Sequence, residues 1–103
     1  MSRRNERTFV LLTGETISED VAIAGAVAAE TADAPTGAAL ARMTVDIDSR
    51  IRVGDAPTAS TAADTKLVAN TVEYMQVTAK QKISVVAADG AAAGTLNVTW
   101  FPS

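Results

Sequence analysis

A chain of 103 residues holds one domain, and its composition keeps the core small: 48% is hydrophobic, much of it Ala, with only 4% aromatic. Burying Ala removes little apolar surface, so the chain is either a monomer of modest stability or a protomer that completes its burial against neighbours. A net charge of −3 disfavours nucleic acid as a partner, and the lack of Cys and His removes thiolate metal sites and the usual general base.

Residues 1–7 read as a basic arm carrying Arg3, Arg4 and Arg7. Its charge resembles a signal-peptide start, but the apolar run that follows is too short for one. No stretch reaches a membrane-spanning length, so no membrane partner is expected. From residue 8 onward the chain reads as a single β domain, 8–103. Phe9-Val10-Leu11-Leu12, closed by Gly14, is too short for a helix and reads as a buried strand over 8–13.

A second strand is expected over residues 15–24, from Ile17, Val21 and Ile23, with Ser18-Glu19-Asp20 as a turn or bulge that interrupts it. Residues 25–40 carry helix-favouring Ala, but Gly25, Pro35 and Gly37 punctuate them closely. They are expected to be loop with a weak strand near 26–29, a short helix being the alternative.

The clearest pattern starts at Arg42. Met43, Val45 and Ile47 alternate with Thr44, Asp46 and Asp48, and Ile51 and Val53 then alternate with Arg50 and Arg52. Period-two alternation of β-branched residues marks half-buried strands, and the irregularity near Ser49 predicts a bend or a strand pair. Residues 55–66, rich in small polar residues, read as a loop with too little apolar bulk to pack on anything. Strands follow over 71–77, 82–87 and 95–101, the last two joined by the Gly-flanked turn 89–94. The sum is an all-β fold, a compact β-sandwich or barrel of about six to eight short, mostly antiparallel strands with a flexible N-terminal arm.

Candidate chemistry is sparse. On a strand, Asp46 and Asp48 would share one face, where a solvated row with cross-strand ion pairs is the simpler explanation. Ser and Thr lack a base to activate them, and Lys80 and Lys82 flank an exposed turn in which Lys keeps its proton. Gly90 and Gly94 are followed by no phosphate-binding Lys. Trp100 alternates in phase with Leu96 and Val98 and belongs to the core, whereas Phe101 falls on the opposite face, exposed, as a subunit contact. No catalytic, cofactor-binding or metal-binding residue is expected, and no enzyme. The partner-binding residues expected are Arg3, Arg4, Arg7 and Phe101.

Residues 46–59, with Gly54-Asp55-Ala56-Pro57-Thr58-Ala59, then Lys66-Leu67-Val68-Ala69-Asn70-Thr71-Val72-Glu73-Tyr74 and Gln81-Lys82-Ile83-Ser84-Val85-Val86, resemble small virion proteins of tailed bacteriophages. The resemblance covers about residues 43–99. Lys80 departs from it, because that pattern often carries Gly there. The resemblance implies a capsid decoration (cement) protein that binds the major capsid protein on the outer shell as a homo-oligomer, a trimer among the options. Its alternatives are a head–tail connector or tail accessory protein and, from a different class, a carbohydrate-binding β-sandwich.

Overall fold

A computed structural model describes residues 16–60, 64–88 and 93–102. The strand expected over 8–13, the arm with Arg3, Arg4 and Arg7, and residues 89–92 of the expected turn 89–94 lie outside these residues, whereas Ala93 and Gly94 belong to the last strand rather than to the turn. The described residues form eight strands: β1 Ile17–Ala24, β2 Ala29–Glu30, β3 Ala38–Val45, β4 Ser49–Gly54, β5 Thr65–Leu67, β6 Val72–Gln76, β7 Lys82–Ala87 and β8 Ala93–Pro102. They build two four-stranded antiparallel sheets, β1-β8-β3-β6 and β2-β7-β4-β5. The fold is an all-β sandwich.

Alternation along the strands decides which side chains meet between the sheets. Val21, Leu96 and Val45 stand side by side across β1, β8 and β3, and Met43 stands opposite Val98. All are buried. Ile51 and Val85 stand opposite one another in the second sheet and face them, buried to about the same degree. Trp100 is 1% exposed, so its expected core position holds. β7 differs from every other strand: residues 83–87 are buried on both faces.

Four local expectations need correction. Ser18-Glu19-Asp20 do not interrupt β1, because they continue the ladder against Thr99, Val98 and Asn97, and Ser18 and Thr99 join their hydroxyls at 2.8 Å. The strand within 25–40 is Ala29–Glu30, which pairs with Val85 and Ser84, and β3 already begins at Ala38. Gly25 at φ 60 makes the preceding turn, a backbone region open to Gly. The break in the long alternating stretch falls at 46–48, so Asp46 and Asp48 sit in a turn and not on a strand.

The last correction concerns residues 55–66, expected to pack on nothing. Pro57 and Ala59 are buried against the outward face of the second sheet, and β5 takes up the end of the segment. Small side chains allow this close approach: the Ala59 N–H reaches the Ser84 Oγ at 3.1 Å in a buried environment.

Candidate functional site

Asp46, Asp48, Asp20 and Asp64 hold the chain together through their carboxylates. Asp46 Oδ1 accepts from the Thr95 N–H and Asp48 Oδ1 from the Ala69 N–H, both at 2.8 Å. These bonds stitch the β3–β4 turn to the start of β8 and to the turn before β6. Gly94 is required beside this contact, since an added Cβ would collide with Asp46 Oδ1 and come within 2.9 Å of Ile47 Cγ1. Asp20 accepts from Asn97 Nδ2 at 2.8 Å on the outward face of the first sheet.

Asp64 latches the segment that covers the second sheet. Its carboxylate accepts from Arg52 Nε at 2.8 Å and from the Ser60 N–H at 2.5 Å. The Ser60 amide and the Arg52 guanidinium together hold the Asp64 carboxyl below the usual carboxylate range. Arg50 Nη1 donates to the Asp64 carbonyl at 3.2 Å, while Arg50 Nε is buried without a partner.

Among the described residues, no group of three or more His, Cys, Asp or Glu could hold a metal ion. A shallow depression of about 310 Å³ lies at the end of β6, lined by Ala39, Gln76, Val77, Thr78 and Gln81. It holds two amides and a hydroxyl but no group able to move a proton near neutral pH.

Two outward faces are available, and they differ. That of the second sheet is covered by residues 55–60 over Ser84, and three of its four cations are ion-paired: Arg52 with Asp64 at 2.7 Å, Lys66 with Asp48 at 3.8 Å, and Lys82 with Glu30 at 3.9 Å, while the fourth, Arg50, donates to the Asp64 carbonyl. The outward face of the first sheet has no covering segment among the described residues. Register places Leu40 beside Phe101 and Gln76, Arg42 beside Thr99 and Tyr74, and Thr44 beside Asn97 and Val72. Arg42 is half-buried, and it makes no ion pair among the described residues.

Phe101 thus sits on the face expected of it but is half-buried rather than exposed, because Leu40 stands directly opposite and shields one side of the ring. The exposed aromatic is Tyr74, at 56%. Arg3, Arg4 and Arg7 are not brought to this face by any described contact, since they precede the described residues. Leu40, Arg42 and Tyr74 escape sequence reasoning as a group because they lie on two strands separated by about thirty residues. Alternation does mark Arg42 as outward, and that is the signal available.

No protein-family model matches this chain, and no match is found among curated proteins or among solved structures.

Proposed function

We propose that this chain is a structural, non-enzymatic virion protein of a tailed bacteriophage. In this reading it is a decoration protein on the capsid surface, a homo-oligomer that binds the major capsid protein and takes no cofactor. The observation that carries the proposal is the asymmetry of the two outward faces. One is covered and most of its cations are ion-paired; the other presents Leu40 and Phe101 beside Arg42, which has no ion pair among the described residues. An apolar pair next to this cation suits a partner surface that is part apolar and part acidic. The basic arm with Arg3, Arg4 and Arg7 would add to the same charge preference.

The resemblance over residues 43–99 supplies the kind of partner. Its quoted positions include Leu67 and Ile83 in the core and Pro57 buried within the covering segment, and Lys80 stands at φ 73 where the pattern often has Gly. Cosedimentation with purified, expanded capsid shells tests the proposal. Retention of many copies over the shell is the expected result. Recovery of the whole protein in the supernatant would contradict it, and a single ring of copies at the portal vertex would favour a head–tail connector instead.

A further inference from the structure

We infer that β6 is a self-association edge, through which two copies of this chain pair antiparallel about a twofold axis at Tyr74. This goes beyond the virion reading and does not depend on it. The remaining sheet edges are less suited: β2 has two residues and β5 three. β1 is drawn toward the second sheet, because the turn after it donates the Val27 N–H to Ala24 and accepts the Ala87 N–H at Gly25. β6 has five residues and ends its sheet with one side unpaired among the described residues.

The hydrogen-bonding phase of β6 can be read directly. The Val77 N–H donates to the Ala39 carbonyl at 3.1 Å, in line with the β3–β6 register. Backbone groups alternate in direction along an antiparallel strand, so those of Val72, Tyr74 and Gln76 point away from β3 toward the open edge. A twofold axis at Tyr74 sets Tyr74 against Tyr74 of the second copy and Val72 against Gln76 of the second copy. Those outward groups then exchange about six N–H···O=C bonds. The one charged residue of the strand, Glu73, meets Met75 of the second copy and never its own like charge.

The two ends of the edge are complementary as well. Before β6 stands Val68, 51% exposed, with Val72 at 44% behind it. After β6 lies the depression of about 310 Å³ lined by Ala39, Gln76, Val77, Thr78 and Gln81. The same twofold axis carries the projecting Val68 turn of each copy to the hollow end of the other. Charge follows the same rule. Asp48, its side chain 50% exposed, holds the Ala69 amide at the first end. Lys80, exposed and without an ion pair among the described residues, stands at the second end. An isologous contact satisfies both ends twice over, which is the property a closed dimer requires.

Sedimentation equilibrium of the purified full chain, without shells, tests the pairing. At about 100 μM, well above a micromolar Kd, the expected mass is about twice the chain mass of 10.6 kDa. Tyr74→Pro removes an N–H that points outward, where an edge strand tolerates proline, and is expected to give the mass of one chain. Val68→Lys and Lys80→Glu lie outside β6 and keep the test decisive if the proline variant fails to fold; each sets like charges against one another and is expected to weaken pairing at least about tenfold. A wild-type chain with the mass of one copy or of three at this concentration would overturn the inference. So would pairing undiminished in Val68→Lys and Lys80→Glu. Neither result bears on capsid binding, which is read separately on shells.

Discussion

The Ala59 N–H donates to the Ser84 Oγ at 3.1 Å, and this buried bond fastens the segment after β4 to the middle of β7. It explains why β7 is buried on both faces and why the outward face of its sheet is closed, while that of the other sheet has no cover among the described residues. Ser84→Ala leaves the Ala59 N–H buried without an acceptor, and the expected loss is about 1–3 kcal/mol in chemical denaturation. A change below about 0.5 kcal/mol would mean that the segment does not depend on this bond.

Trp100 is the largest fully buried side chain, 1% exposed, with Ile17 and Ala41 opposite it in the neighbouring strands. Its Nε1 donates to Glu19 Oε1 at 3.4 Å, a long bond that adds little beside the packing. Trp100→Ala is expected to cost about 3–5 kcal/mol, read from the denaturation midpoint and slope. A loss below about 1 kcal/mol would place the indole outside the core.

The Asp64 latch carries a pH dependence of definite sign. The Ser60 amide and Arg52 lower the folded-state pKa of this carboxyl relative to the unfolded chain. Its stabilising contribution is therefore complete above the ordinary carboxylate value of about 3.9 and is lost as pH falls below it through the lowered folded value. Melting temperatures of the wild type and of Asp64→Asn, compared from neutral to acid pH, should differ near neutrality and converge in acid. A gap that stays constant as pH falls, for as long as both proteins remain folded, would contradict the latch.

Much of this architecture can be read from residue order, and the failures have physical causes. Alternation through Met43, Val45, Ile51, Leu96, Val98 and Trp100 finds the strands that carry the core, because burial on one face imposes period two. The failures lie where a contact distant in sequence decides. Ser18-Glu19-Asp20 look like a turn until β8 supplies partners some eighty residues away, at Thr99, Val98 and Asn97. Asp46 and Asp48 alternate as strand residues do, yet backbone N–H groups of Thr95 and Ala69 draw them into a turn. Ala59 shows no burial signal of its own, since what it buries under is a hydroxyl on another strand.

The candidate surface was legible only in part. The position of Phe101 on the face opposite Trp100 follows from parity, whereas its half-burial depends on Leu40, which parity cannot bring alongside. Lys80 is a different case. Its departure from the glycine of the resembling pattern falls at φ 73, so the residue type at that site reports a backbone conformation that the chain keeps despite the side chain.

The central claim is that the open face of the first sheet, with Arg42 beside Leu40 and Phe101, meets an acidic and apolar shell surface. The most direct measurement is cosedimentation of the wild type and of Arg42→Glu with expanded shells at low and high salt. The account predicts saturable binding by the wild type that weakens with salt, and binding reduced at least about tenfold in the variant. Equal binding by the two proteins, or none by either, would contradict it.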